Sequence, residues 1–273
     1  MSALVLRLKA RPPQRVDMSP VTPESLATLG IADIIRIHLL MGNRRVFLGE
    51  LFDVTPGDAA HIIIQSSSFR LDYIGAGLGA GSITIEGDAG EGTGQGMRGG
   101  RLHVAGNVGP WAAAKMSGGT LSVAGHAGDF LGGALPGDMR GMSGGLVVVR
   151  GNAGRRAGDR MRRGLIAIGG GVGDHAGSRM IAGTVLALGS PLGAYPGFAM
   201  KRGSLLLRGP PSRMLPTFSD AGSHELGFLR LLSHTIRAEA TPALDLEGLG
   251  TRVRRYVGDA AAGGKGEILV WSG

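Results

Sequence analysis

Ten basic side chains crowd the stretch from Arg155 to Arg213, and only Asp159 and Asp174 oppose them. The excess of eight equals the net charge of the whole 273-residue chain, +8. Several of these residues recur at fixed offsets from methionines. Arg160 and Arg179 precede Met161 and Met180 by one residue, Arg162 and Lys201 follow Met161 and Met200 by one, and Arg163 and Arg202 follow them by two. Equal offsets in a repeat fall along one edge, so the charge forms a stripe suited to a polyanion or to an acidic partner surface. Arg155, Arg156, Arg160, Arg162, Arg163, Arg179, Lys201 and Arg202 are the candidate binding residues. A solubilising face is the competing reading of the same charges.

The other reactive side chains form no constellation. The chain has no cysteine, which rules out disulfides, thiolate zinc sites and cysteine-ligated iron–sulfur clusters. Its seven histidines (His38, His61, His103, His126, His175, His224 and His234) are scattered, without zinc-ligand spacing. Glu86, Asp88 and Glu91 are clustered carboxylates, but they belong to one repeat and have no counterpart in its neighbours. Glycine strings such as Gly75–Gly79 superficially suggest nucleotide binding but lack a strand–turn–helix context. The sequence therefore points to no catalytic residue and no metal site.

The elements that must position the basic residues come from an internal repeat. Met97, Met116, Met142, Met161, Met180 and Met200 each carry a glycine three residues on and another nine residues on, and Leu78 opens a seventh copy. The steps between methionines are 19, 26, 19, 19 and 20 residues, the long one holding an insertion around Asp129–Pro136. Between the glycines, apolar residues alternate: Ile83, Leu102, Leu121, Val147, Ile166, Val185 and Leu205, then two residues later Ile85, Val104, Val123, Val149, Ile168, Ala187 and Leu207. Such alternation marks a strand with one buried face. The residues between them, Thr84, His103, Ser122, Val148, Ala167, Leu186 and Leu206, vary more, as expected of a more exposed or partner-facing side. One repeat cannot bury its own apolar face, whereas stacked repeats can.

The expected fold is all-β: a right-handed parallel β-helix (solenoid) of about seven 19-residue coils, with methionines inside. The left-handed hexapeptide helix, with coils of about 18 residues in three six-residue faces, competes but fits the period less well. Residues 1–65 read as a mixed N-terminal cap, 66–212 as the repeat domain and 213–273 as a partly helical C-terminal tail. In the cap, Leu4–Leu8 is strand-like, Thr22-Pro23-Glu24 starts a helix stopped by Gly30, Ile34–Leu40 and Val46–Phe52 are strand-like, and His61–Ile64 is an incomplete coil. In the tail, Ser223–Ile236 is a candidate helix, Gly248–Val257 a further element and Ile268–Trp271 a last strand. No apolar run approaches the ~20 residues of a membrane span, so a cytoplasmic protein without membrane contact is expected.

Several phrases carry a family resemblance: Asp17-Met18-Ser19-Pro20, Gly49-Glu50-Leu51-Phe52-Asp53-Val54 and Asp72-Tyr73-Ile74-Gly75 ahead of the repeats, then Met116-Ser117-Gly118-Gly119 and Gly141-Met142-Ser143-Gly144-Gly145 within them. In order and spacing, from about residue 4 to 235, they resemble the C subunit of the formylmethanofuran dehydrogenase family. The repeat phrase alone is also similar to the C-terminal β-helix of glutamate synthase. The first resemblance implies a non-catalytic component of a one-carbon complex. Its bacterial branch is a formyltransferase/hydrolase, which moves a formyl group from tetrahydromethanopterin to a methanofuran-type carrier and releases formate. The arginine-rich, lysine-poor composition favours that branch over the archaeal molybdenum or tungsten enzymes. The resemblance further implies partners: an amidohydrolase-like A subunit, a B subunit and a formyltransferase D subunit. No cofactor is expected on this chain alone, and the polyglutamylated tail of the carrier is a candidate ligand for the basic stripe. A glutamate-synthase-type coupling module and a basic nucleic-acid binder are the alternatives; the second lacks interleaved aromatics, the repeats supplying only Trp111, Phe130, Tyr195 and Phe198.

Overall fold

The computed structural model describes residues 2–239, 244–247 and 249–271. It is mostly β. The chain opens with β1 (Ala3–Leu8), β2 (Val16–Asp17) and two single helical turns, α1 (Pro23–Leu26) and α2 (Ile31–Ile34). The hairpin β3 (His38–Met41) and β4 (Arg44–Phe47), the turn α3 (Leu48–Leu51), β5 (Phe52–Thr55), β6 (Asp58–Ser67) and β7 (Leu71–Asp72) complete this part. Seven strands follow, one per repeat: β8 (Ser82–Gly87), β9 (Arg98–Val104), β10 (Gly118–Val123), β11 (Ser143–Val149), β12 (Arg163–Ile168), β13 (Thr184–Ala187) and β14 (Ser204–Leu207). The chain closes with β15 (Ser219–Glu225), α4 (Phe228–Glu239), β16 (Arg252–Gly258), a 3-10 turn (Ala260–Ala262) and β17 (Gly266–Trp271).

Thirteen strands form one sheet in the order β15-β16-β17-β14-β13-β12-β11-β10-β9-β8-β6-β1-β5, and β4-β3-β2-β7 form a second. In the large sheet, pairing is parallel from β1–β6 through β14–β17, with antiparallel pairs only at the two ends. The register joins equivalent repeat positions, as in Leu121↔Val147, Val147↔Ile166 and Ile166↔Val185. A second parallel row joins Ala89, Val108, Ala127, Ala153, Val172 and Leu192. A third is made of turns, in which Gly94, Ala113, Gly132, Gly158, Gly177 and Gly197 donate their N–H to the preceding repeat.

The alternating apolar residues and all six repeat methionines are buried. The Met–Gly phrase has a packing cause. The Cε of Met142 lies 2.8 Å from where a Cβ on Gly164 would stand, and Met116 relates to Gly145 in the same way at 2.7 Å. Met116, Met142, Met161 and Met180 thus fill the space that the glycine of the next repeat leaves open. That glycine row also has positive φ, +88° at Gly145, which favours glycine. The second glycine is needed for a different reason: a Cβ on Gly125 would stand 2.7 Å from Gly106 O.

Several expectations need correction. The insertion begins after Gly132, because Gly132 still bonds to Ala112 O and accepts from Met142. Thr22 caps α1, but α1 ends at Leu26, and Gly30 opens α2 instead of stopping the first helix. Ile34–Leu40 begins in α2 and becomes strand only at His38, while Val46–Phe52 is interrupted by α3. Ser223–Glu225 is strand, and the helix starts at Phe228, after Gly227. The element expected over Gly248–Val257 is β16, Arg252–Gly258, with Gly248 outside the described residues. The positions between the alternating residues are not all outward to solvent. Val148, Ala167, Leu186 and Leu206 are buried with Leu229, Ile236, Leu246 and Trp271 of the C-terminal segment, in a second core on the other face of the sheet. Only the early positions, Thr84 and His103, stay partly open.

Candidate functional site

The basic residues divide into two groups on either side of the methionine row. Arg162 and Arg163 begin one repeat, Lys201 and Arg202 begin the repeat two further on, and Ile181 and Ala182 lie between them. The backbone fixes this spacing: Arg162 N–H bonds to Met142 O, Ile181 N–H to Met161 O and Lys201 N–H to Met180 O, each at 2.8 Å. With strands about 4.8 Å apart, the two cationic pairs stand roughly 10 Å apart across an apolar saddle. Together with Ser143 they line a groove of about 630 Å³. Lys265, whose N–H bonds to Lys201 O at 2.7 Å, continues the row. None of the four forms an ion pair among the described residues. The Arg162 Nε is buried and has no acceptor among the described residues. Four convergent cations without a counter-charge attract an anion, and an unpaired buried donor adds to that demand.

The second group is largely committed internally. Asp159 is 1% exposed and accepts from Arg179 Nε at 2.9 Å and Nη2 at 2.6 Å, and from Ser178 Oγ at 2.5 Å. Arg156 Nη1 lies 3.9 Å from the same carboxylate. Arg160 Nη1 donates to Met139 Sδ at 2.9 Å. Arg155 is exposed and bonds through its backbone, its N–H to Asp129 Oδ1 and its carbonyl accepting from Phe130 N–H. Thus the sequence-level stripe resolves into one open cationic groove and one ion-paired cluster.

Two of the residues singled out as possible chemistry, Asp88 and His126, have structural roles. Asp88 Oδ1 accepts from Asn107, Asn107 Oδ1 from His126 N, His126 Nδ1 from Asn152 N and Asn152 Oδ1 from Gly171 N, a polar ladder joining successive repeats. No group of three or more His, Asp or Glu suited to a metal ion occurs among the described residues.

One feature escaped sequence reading. Five residues before the opening residue of a repeat the backbone has positive φ, at Tyr73 (+58°), Trp111 (+55°), Arg156 (+58°), His175 (+60°) and Tyr195 (+56°), and Phe130 (+60°) takes the equivalent place ahead of the insertion. These side chains line one turn edge, and some of them stack. The rings of Trp111 and Phe130 are 5.3 Å apart at 10°, those of His175 and Tyr195 5.8 Å apart at 26°, and Arg156 and Arg213 cap Phe130 and Tyr195. Aligning the repeats on the methionine offset of minus five would have revealed the row.

The chain is similar to proteins of one family. It is 41% identical over 86 residues to the C subunit of the formyltransferase/hydrolase complex Fhc of Methylorubrum extorquens, covering 32% of each chain. It is 32% identical over 92 residues to the C subunit of the tungsten-containing formylmethanofuran dehydrogenase 2 of Methanococcus maripaludis, covering 33% of this chain and 34% of that one. These alignments span about a third of the curated relatives' length. The structural comparison spans nearly everything. A chain in the crystal structure of the formyltransferase/hydrolase complex FhcABCD from Methylorubrum extorquens with methylofuran matches at a TM-score of 0.92 and 40% identity, over 98% of this chain and 100% of that one. No family model matches the sequence. With the sequence alignments and the structural match over nearly the full chain in agreement, the chain belongs to the C-subunit family shared by formyltransferase/hydrolase and formylmethanofuran dehydrogenase complexes.

Proposed function

We propose that this chain is the non-catalytic scaffold of a formyltransferase/hydrolase complex of one-carbon metabolism. The observation that carries this reading is the 40% identical match over 98% of the chain to a component of the FhcABCD structure. Its partners would be the amidohydrolase-like, formyltransferase and B subunits of the same assembly, in the cytoplasm, where no cysteine chemistry is needed. No helix among the described residues is long and apolar enough to cross a membrane. The three rows of inter-repeat bonds and the inward methionines support a right-handed parallel β-helix, whose stiffness suits a scaffold.

The complex would use a methanofuran-type carrier and tetrahydromethanopterin, held at active sites on other subunits. The part of this chain in the chemistry would be electrostatic. The groove of Arg162, Arg163, Lys201 and Arg202 would hold the glutamate-rich tail of the carrier, each carboxylate exchanging water for charge-assisted hydrogen bonds. Reversing all four charges in the assembled complex should raise the apparent Kd for a polyglutamylated carrier by about tenfold or more at low salt, roughly 1.4 kcal/mol. The difference should shrink as salt screens the groove. An unchanged Kd at low salt would contradict the carrier role, and failure to co-purify with formyltransferase and amidohydrolase-like subunits would contradict the complex.

A further inference from the structure

We infer that the turn edge bearing the aromatic–arginine stack docks an acidic surface of another subunit, which inserts an apolar side chain beside Met139. The inference takes the partner's identity from the functional reading above; the surface itself is argued from this chain.

The edge has the composition of an interface centre. It carries one of the chain's two tryptophans and two of its three tyrosines, interleaved with arginines. Trp, Tyr, Met and Arg dominate the energetic centres of interfaces. Here they are rigid: the rungs are fixed by backbone bonds to the next repeat, such as Trp111 N–H to Asp129 O at 2.9 Å and His175 N–H to Ala194 O at 2.8 Å. Little conformational freedom remains to be lost on binding.

The insertion adds an apolar knob and a socket. Met139 is 65% exposed and Phe198, on the same edge, is 44% exposed. Met139 is nonetheless held. Lys115 pairs with Asp138 at 3.0 Å, Arg160 bonds to the Met139 sulfur, and Gly141 N–H bonds to Arg160 O at 3.0 Å. Met139 and the Trp111–Phe130 stack line a cleft of about 440 Å³, together with Arg160 and Arg179. At its wall the Trp111 Nε1–H is buried without an acceptor among the described residues. An apolar side chain flanked by a carboxylate would fill the cleft and satisfy the rim.

Charge selects the partner. Around the cleft the edge carries Lys115, Arg140, Arg155, Arg156, Arg160 and Arg179 against four carboxylates: Asp138, paired with Lys115, Asp159, paired with Arg156 and Arg179, and Asp129 and Asp174, whose Oδ1 atoms accept backbone N–H groups, so that cations remain in excess. A second copy of this chain would set basic edge against basic edge. A nucleic acid would need open ring faces for base stacking, whereas Trp111 and Phe130 cover one another and His175 and Tyr195 do likewise. An acidic protein surface meets the exposed ring edges, the methionine and the arginines together.

Hydroxyl-radical footprinting read by mass spectrometry tests the inference on the co-expressed complex and on the isolated chain. Oxidation of Met139 and Phe198 should fall at least tenfold in the complex. Met139→Glu should weaken retention of the partner subunits at least tenfold, with the chain's own unfolding midpoint unchanged, and Met139→Leu should retain them. Equal oxidation rates in an intact complex would overturn the inference alone. Protection already present in the isolated chain through self-association would also overturn it, as would protection abolished by nuclease. A wild-type chain that assembles with none of the partner subunits would overturn the functional reading, and this inference with it.

Discussion

Met161 shows how one residue type sets the repeat. It is fully buried, and its Cε lies 3.0 Å from where a Cβ on Gly183 would stand in the following repeat. Met161→Ala should therefore leave a cavity that the hydrogen-bonded backbone cannot close, and should cost about 2–5 kcal/mol in denaturant-induced unfolding. Gly183→Ala should also destabilise, through the φ of +99° as well as the contact with Met161. A double-mutant cycle on this pair should show coupling, since Met161→Ala removes the clash that Gly183→Ala creates. These residues were legible because methionine and both glycines recur at equal offsets. Asp159 was visible only as one of two carboxylates among ten cations; its burial beneath Arg179 comes from packing between repeats, which no offset announces.

Glu24 joins the N-terminal elements to the first repeat. Its Oε1 accepts from Gly79 N–H at 2.6 Å and Ala80 N–H at 2.7 Å. Burial pushes its pKa up, but these bonds, with one from Thr22, outweigh that and hold it below the usual glutamate value. A carboxylate with a depressed folded pKa stabilises above its unfolded pKa and loses that contribution as pH falls through the folded value. Glu24→Gln should thus lower the thermal unfolding midpoint at pH 7, and the gap from the parent chain should narrow as pH drops below the normal carboxylate range. Thermal melts from neutral pH down through that range would check this; a gap that widens in acid would contradict it. At this scale the repeat strands were readable from period-two alternation. The C-terminal cover was not, because α4 lies well beyond the last repeat strand in sequence and meets Val148 and Leu186 only in space. Apolar residues at the intervening positions, Val148, Leu186 and Leu206, were the available signal. Replacing Leu229 with aspartate should uncover that second core, seen as faster amide exchange across β12–β14.

For the molecule as a whole, the even-looking excess of arginine has an arrangement. One set of cations is free and lines a groove, another is partly paired with a buried aspartate, and an aromatic row runs along the turn edge. The all-β, mainly parallel architecture was readable from the repeat, and the family from the phrases around it. The division of the stripe was not, because it depends on which arginine reaches Asp159. On the proposed reading, reaction chemistry falls to the other subunits, and this chain contributes shape and charge. The most direct test of that division of labour is native mass spectrometry of the endogenous protein purified at low salt. The predicted result is an assembly that contains this chain with both amidohydrolase-like and formyltransferase subunits. A stable monomer or homo-oligomer carrying neither, under conditions that preserve other complexes, would contradict it.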